Sequence, residues 1–124
     1  MNNEEQLHEI CHFMSQERLL TLSAAAEGQV WSASCFYHFQ QDEMTMYVMS
    51  DITTRHASLM LKAPEVSGTI TGSDISLMQL KGLQYQAVAS LLHRCCRRSR
   101  RGSPACVIIS DTRLVVSWPG QCGR

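Results

Sequence analysis

The sequence lacks any long apolar run. The longest are short stretches such as Leu19–Leu22 and Leu114–Val116, whereas a membrane-spanning helix needs about 20 apolar residues. The first ten residues, MNNEEQLHEI, are acidic and contain no apolar core of the kind found in signal peptides. We therefore expect a cytoplasmic protein with no membrane segment.

The sequence also lacks the spacings that mark common cofactor and metal sites. It contains no GxGxxG, no GxxxxGK[ST] and no CxxC pair, which leaves Rossmann, P-loop and zinc-ribbon sites without support. Cys11 and Cys35 stand alone among apolar residues, as buried thiols do. His8 and His12 are four residues apart, but no third ligand follows them, so we predict no metal site.

Acidic residues are almost absent from the end of the chain. Residues 1–92 contain ten acidic and four basic side chains, whereas residues 93–124 contain seven arginines and one acid, Asp111. Four of the six cysteines also lie in that last part, including the adjacent pair Cys95-Cys96. The composition therefore divides the chain into residues 1–90, a globular domain, and residues 91–124, an atypical Arg/Cys-rich tail.

What remains is a pattern of short strands with two helices. Asn3 is suited to cap a helix that extends to about Gln16, with an apolar stripe at helical spacing. A second, short helix is predicted before Pro64. The stripe comprises Leu7, Ile10, Cys11 and Met14, and the second helix is predicted at Ala57–Lys62. The predicted strands are Leu19–Ala25, Gln29–Phe39, Met44–Met49, Glu65–Thr71 and Ser76–Ala89.

This order of elements is typical of a mainly β, α+β domain. We predict a small antiparallel split β-barrel with an N-terminal helix and a short inserted helix. Gly82, inside the predicted fifth strand, indicates a bulge or a close approach to the backbone.

Many hydrogen-bonding side chains follow the third strand, in "YVMSDITTRHASLMLK". Helix N-termini bind anions, and an arginine fork suits phosphate oxygens. Ser50, Thr54 and Arg55 are therefore candidates to bind a phosphate. The alternative is that Thr53 only caps the helix while Arg55 and His56 face water. A role for His56 as general acid or base has less support, because the sequence places no carboxylate or nucleophile beside it.

The second strand, "WSASCFYHF", offers small and aromatic side chains that can lie along a flat ring. The alternative is an ordinary barrel strand with mixed packing. Strand alternation predicts one face with Trp31, Ala33, Cys35, Tyr37 and Phe39, and another with Ser32, Ser34, Phe36 and His38.

Taken together, "ERLLTLS", "EGQVWSASCFYHF", "MYVMSDITTRHASLM", "PEVSGTI" and "LKGLQYQA" resemble the pyridoxamine 5′-phosphate oxidase-like, FMN-binding split-barrel superfamily, and within it the small bacterial YhbP-like branch. The resemblance covers residues 1 to about 89 in unbroken order. It implies a homodimer with FMN in a groove between subunits; other members bind other flavins, deazaflavin or heme.

The resemblance also implies positions for the cofactor. It places the flavin phosphate at Arg55, with Ser50 and Thr54 as hydroxyl partners and His56 undecided between cofactor, dimer contact and solvent. The flavin ring would be bordered by Trp31, Ser32, Ala33 and Ser34 and by backbone near Tyr47–Met49; looser contacts are implied for Gln79 and Lys81. The residues with which true pyridoxamine phosphate oxidases hold their substrate are not recognisable here, so an oxidoreductase activity has no identified substrate or catalytic residue.

After Ala89 the resemblance ends, and three interpretations compete. In the first, the tail is a basic arm that binds nucleic acid. In the second, its arginines are ordinary solvent-exposed charges before a last pair of strands, Val107–Ile109 and Leu114–Ser117. In the third, the tail is the product of a reading-frame shift near residue 90. We favour the frame shift, which would leave a barrel edge unpaired; sequencing the coding DNA around codon 90 tests it.

Two classes of function follow from these observations. The first is an FMN-binding protein that acts as a flavin-dependent oxidoreductase of unknown substrate. The alternative is a non-catalytic module that binds nucleic acid or a protein through the barrel and its basic tail, although nucleic acid has little support because the tail has a single aromatic residue, Trp118.

Overall fold

The computed structural model describes residues 3–73, 81–92 and 105–117, and it confirms the predicted fold class: six antiparallel strands form a closed barrel with two helices. In chain order the elements are α1 (Asn3–Gln16), β1 (Leu19–Ala26), β2 (Gln29–Gln40), a 3₁₀ helix (Gln41–Glu43), β3 (Thr45–Ser50), α2 (Arg55–Lys62), β4 (Glu65–Thr71), β5 (Gly82–Leu92) and β6 (Ala105–Ser117).

The strands lie around the barrel in the order β1-β2-β3-β6-β5-β4, and β4 pairs back onto β1. Because side chains alternate along each strand, one set fills the interior and the other faces outward. The interior side chains are apolar, and the most deeply buried of them are Leu20, Leu22, Met46, Val48, Ile70, Leu83, Val107 and Ile109.

The two helices pack against opposite ends of the barrel. On α1, Phe13 lies near Gly72 at the end of β4, and the Tyr37 hydroxyl donates to the Met14 carbonyl at 2.7 Å. On α2, Leu59 and Met60 are buried at the other end. The predicted apolar stripe of α1 is wrong at Leu7, which is 51% exposed, because the barrel contacts the second half of that helix.

The strand β6 comes from the segment whose composition is atypical. It pairs with β3 through Ala105–Ile109 and with β5 along most of its length, so the open edge expected from a frame shift is not observed. The predicted pair Val107–Ile109 and Leu114–Ser117 is one continuous strand. The arginines before it, Cys95-Cys96 and Trp118 lie outside the described residues, and the frame shift stays a prediction.

Close backbone approach occurs at Gly68 and not at Gly82. Gly82 begins β5 opposite Thr71, and the register shift of β5 lies further on, between Gln86 and Val88; the bulge predicted at Gly82 is therefore wrong. A Cβ on Gly68 would meet the backbone oxygen of Thr21 and would lie 2.5 Å from the Tyr85 hydroxyl.

Only part of the fifth strand predicted at Ser76–Ala89 lies within the described residues. From Gly82 onward it is β5, which extends to Leu92, whereas residues 76–80, Gln79 among them, lie outside the described residues. Within the described ranges no helix is long and apolar enough to cross a membrane.

Candidate functional site

The strands β2 and β3 separate at one end of the barrel. They pair through Tyr37–Gln40 and Thr45–Val48 only. Before Tyr37, β2 pairs on its other side with β1, while the end of β3 leads into α2. The first half of β2 is therefore unpaired on the side of β3, and it lies beside the β3–α2 junction, where Arg55 contacts Trp31.

The start of α2 is fixed by a chain of short-range hydrogen bonds. Thr54 is the N-cap, and its hydroxyl accepts from the Ala57 N–H at 3.3 Å and donates to the Asp51 carbonyl at 2.7 Å. The N–H and hydroxyl of Thr53 both donate to an Asp51 carboxylate oxygen at 2.8 Å, which lowers the pKa of that carboxyl. The cap is thus Thr54, and α2 begins two residues earlier than predicted, at Arg55.

A buried pair, Ser50 and His56, lies beneath this turn. Ser50 Oγ is 2.6 Å from His56 Nε2, and each residue is 7% exposed. Thr54 Oγ1 is 3.3 Å from the same ring nitrogen. Burial lowers the pKa of the His56 imidazole from 6.5, so the ring is neutral at pH 7. His56 is therefore buried, and its hydrogen-bond partners within residues 3–73, 81–92 and 105–117 are two hydroxyl groups.

Arg55, by contrast, lies exposed over Trp31. Its guanidinium carbon is 4.6 Å from the centre of the Trp31 ring, a cation–π contact, and Trp31 is itself 46% exposed. Among the described residues the one ion pair joins Lys62 and Glu27 at 3.3 Å. The charge of Arg55 is therefore not neutralised by a carboxylate in that part of the chain, which leaves it available to an anionic ligand.

Backbone donors add to this positive charge. The first four N–H groups of an α-helix have no acceptor within the helix. Thr54 accepts from the N–H groups of Ala57 and Ser58, and the described hydrogen bonds include none from the N–H groups of Arg55 and His56. The junction thus offers a guanidinium and two backbone N–H groups in the first turn of α2, with the Ser50 hydroxyl buried at the end of β3 against His56.

The other predicted site residues lie elsewhere. On β2, Ala33 shares the inward-facing side with Trp31, whereas Ser32 and Ser34 are exposed on the outer face, and Ser32 Oγ is hydrogen bonded to Ser23 Oγ at 2.7 Å. Met49 is also on the outer face, 53% exposed. The four consecutive residues of β2 therefore present side chains to two different surfaces, and only their backbone could border one ligand.

Lys81 lies at the other end of the barrel. Its carbonyl accepts from the Gly72 N–H at 2.8 Å, and it lines a cavity of about 520 Å³ together with His8 and His12 of α1. No group of three metal-binding side chains occurs in the described parts of the chain. Nothing in this geometry brings Lys81 near Arg55.

The sequence did not reveal two features of the site. It gave no indication that Ser50 would contact His56, because the contact depends on the turn between them. It also did not show that Arg55 stacks on Trp31, since the two residues are 24 positions apart. Both residues of each pair were already candidates, so the missing information was the pairing.

The buried, neutral His56 should make stability depend on pH. The contribution of His56 to the free energy of unfolding should be complete above about pH 6.5, the ordinary pKa of histidine. It should decrease as the pH falls from there towards the lowered pKa of His56 in the folded protein, because the unfolded chain then binds a proton at His56 that the folded chain does not. Urea unfolding at several pH values tests this. His56→Gln should flatten the profile between pH 6.5 and 5; equal slopes in both proteins would contradict it.

No family model matches the sequence, but similar proteins are found. A UPF0306 protein of Yersinia pestis (strain Angola) is 37% identical over 107 residues, which cover 79% of this chain and 73% of the relative. A UPF0306 protein of Yersinia pseudotuberculosis (strain IP 31758) matches with the same identity and coverage.

Solved structures with the same fold have lower identity. HutZ of Vibrio cholerae, named as a heme storage protein, superposes with a TM-score of 0.69 at 20% identity, covering 91% of this chain and 94% of HutZ. A FAD-binding protein of Mesorhizobium loti gives 0.70 at 15% identity, covering 88% and 91%. A pyridoxamine 5′-phosphate oxidase-like protein of Listeria innocua gives 0.71 at 15% identity, covering 89% and 98%. The chain belongs to the UPF0306 family and has the pyridoxamine 5′-phosphate oxidase-like split-barrel fold.

Proposed function

We propose that the protein binds a flavin, FMN, with the phosphate at the junction of β3 and α2. The observation that carries this proposal is the exposed guanidinium of Arg55 beside the uncapped N–H groups of Arg55 and His56 and the hydroxyl of Ser50. Guanidinium groups and helix N-termini are the donors that phosphate oxygens prefer in proteins. Thr54 contributes by capping the helix and so fixing the direction of these donors.

The flavin ring would lie along the open half of β2. Trp31 and Ala33 supply an aromatic and a small side chain there, and the unpaired backbone of Ser32 and Ser34 offers donors and acceptors to a ring edge. The Met49 side chain is on the outer face, so β3 would border the ring through its backbone near Tyr47–Met49. A bound flavin supplies hydride and electron transfer; the residues of this chain bind and orient it, and we propose an oxidoreductase whose substrate is not identified.

Heme is the second cofactor to consider, since HutZ is named as a heme storage protein. A histidine that ligates iron needs a ring nitrogen free to reach the metal. In this chain Nε2 of His56 is 2.6 Å from Ser50 Oγ and the residue is buried, while His38 is exposed on the outer face. The junction therefore favours a phosphorylated flavin.

Titration of the purified chain with FMN and, separately, with hemin tests the cofactor. We expect FMN to bind with quenched flavin fluorescence, and hemin to give no saturable shift of its Soret band. A saturable Soret shift with hemin, together with no change in flavin fluorescence, would identify heme and not FMN as the cofactor. The alternative of a nucleic-acid or protein-binding module depends on arginines 94–101, which lie outside the described residues.

We propose that the protein is a homodimer formed through the outer face of β2, β1 and β4. This face has large exposed apolar groups, with Phe36 67%, Val30 69% and Leu19 50% exposed, and its one charged side chain among the described strand residues, with histidine neutral, is Glu65, at the start of β4. Exposed apolar surface of this kind is typical of protein interfaces, and a face with a single charge at its edge can meet its own copy with little repulsion. The face includes Leu19, Thr21, Ser23, Ala25, Val30, Ser32, Ser34, Phe36, His38, Glu65, Ser67 and Thr69.

Phe36→Glu should therefore dissociate the dimer, because it places two charges in an apolar contact. Sedimentation velocity measures the mass of each protein. Leu61→Glu is the matched control, since Leu61 is 62% exposed on α2 and lies off this face. A wild-type monomer, or a Phe36→Glu protein that stays dimeric, would contradict the proposed interface.

A further inference from the structure

The hydrogen bonds around His56 determine where its ring proton lies. The Thr54 hydroxyl has one proton, and its shortest contact is to the Asp51 carbonyl at 2.7 Å. A carbonyl can only accept, so Thr54 donates to Asp51. The lone pairs of Thr54 Oγ1 then face the Ala57 N–H at 3.3 Å and His56 Nε2 at 3.3 Å.

An acceptor oxygen attracts Nε2 only if that nitrogen carries the proton. The same nitrogen is 2.6 Å from Ser50 Oγ, so one Nε2–H group lies between two hydroxyl oxygens. Because burial keeps the ring neutral, it has a single N–H. With that proton at Nε2, Ser50 accepts from His56, and its own hydroxyl proton has no acceptor among the described hydrogen bonds.

We propose that His56 is a positioning residue that holds its Nε2–H between Ser50 and Thr54 and thereby leaves the Ser50 hydroxyl to donate to a bound phosphoryl oxygen. The other tautomer has the opposite effect, because Ser50 would then donate to His56 and turn its lone pairs towards the anion. The position of one proton thus decides whether Ser50 attracts or repels a phosphate. The role towards the ligand rests on the proposed function; the position of the proton does not.

The first test needs no ligand. In the 124-residue chain labelled with ¹⁵N in histidine, long-range proton–nitrogen correlation spectra at pH 7.5 distinguish protonated from unprotonated ring nitrogens. We expect a protonated Nε2 and an unprotonated Nδ1 for His56. The reverse assignment, or a charged ring, overturns the inference whatever the chain binds.

The second test is a double-mutant cycle read by FMN affinity. Ser50→Ala and His56→Leu should each weaken binding by about tenfold, the effect of one hydrogen bond to a charged group. The double variant should bind no more weakly than either single variant, because His56 acts through Ser50. His56→Gln, which keeps an N–H donor, should restore most of the loss in His56→Leu. Ser58→Ala, an exposed serine on α2, is the matched control.

Thermal unfolding of each variant, measured in parallel, shows that the affinities refer to folded protein. Unchanged FMN affinity in folded His56→Leu, or losses that add in the double variant, overturn the inference. A wild-type chain that binds neither FMN nor inorganic phosphate overturns the proposed function, and the nitrogen spectra then decide the inference about the proton.

Discussion

Arg55→Ala is expected to weaken FMN binding by about 10- to 100-fold. The guanidinium can donate two hydrogen bonds to a phosphate, and a hydrogen bond to a charged group contributes about 1.5–3 kcal/mol. The variant also loses the cation–π contact with Trp31, which contributes about 0.5–1 kcal/mol at exposed sites. The fold should persist because Arg55 is exposed. Fluorescence titration with FMN measures the affinity.

Two further variants make this prediction specific. Lys62→Ala removes another cation of α2 that lies opposite Glu27, with both side chains exposed, so FMN affinity should stay as in wild type. Arg55→Lys keeps the charge but loses the planar fork, and its affinity should fall between those of wild type and Arg55→Ala. Equal loss in Lys62→Ala and Arg55→Ala would mean that overall charge, and not the junction, governs binding.

Gly68→Ala is expected to cost about 3 kcal/mol or more of folding stability. The added Cβ would lie 2.5 Å from the Tyr85 hydroxyl and 2.7 Å from its ring. Tyr85 must then move, and the hydrogen bond from its hydroxyl to the Thr21 carbonyl, 2.7 Å long, is lost. The barrel wall at this point has β1, β4 and β5 in contact, so little space is available for relaxation.

The matched control for this substitution is Gly82→Ala. A Cβ at Gly82 would have Ile70 O as its nearest neighbour, at 3.8 Å, an ordinary contact, so a change of less than about 1 kcal/mol is expected. Thermal unfolding should show Gly68→Ala melting about 10 °C or more below wild type, whereas Gly82→Ala should melt close to the wild-type temperature. Similar melting temperatures for the two variants would show that the close approach at Gly68 does not limit stability.

Local patterns in the sequence predicted most of the elements. The bounds of β4 are those predicted, and the alternation of β2 correctly grouped Cys35, Tyr37 and Phe39 on one face, which the structure shows to be the interior. Both depend on residue spacing alone. The start of α2 was predicted at Ala57, two residues late, because the polar residues Arg55 and His56 were assigned to the junction, whereas the turn at Asp51 makes Thr54 the cap and Arg55 the first helical residue.

Features that depend on distant contacts were not predicted. Gly68 has no local signal, since its role arises from Tyr85 on the neighbouring strand. Leu7 fits a helical stripe but lies beyond the surface that the barrel offers to α1. The split of the candidate residues among the junction, the outer face and the region of Lys81 likewise follows from strand pairing and barrel closure, which no single segment encodes.

Comparison of FMN with riboflavin tests the central claim most directly, because the two ligands share the ring and differ in the phosphate. Wild-type protein should bind FMN at least about tenfold more tightly than riboflavin, the effect of one charged hydrogen bond, and Arg55→Ala should show a smaller preference for FMN, because Ser50 and the two N–H groups remain. Equal affinities for FMN and riboflavin in the wild-type protein would contradict a phosphate site at the β3–α2 junction.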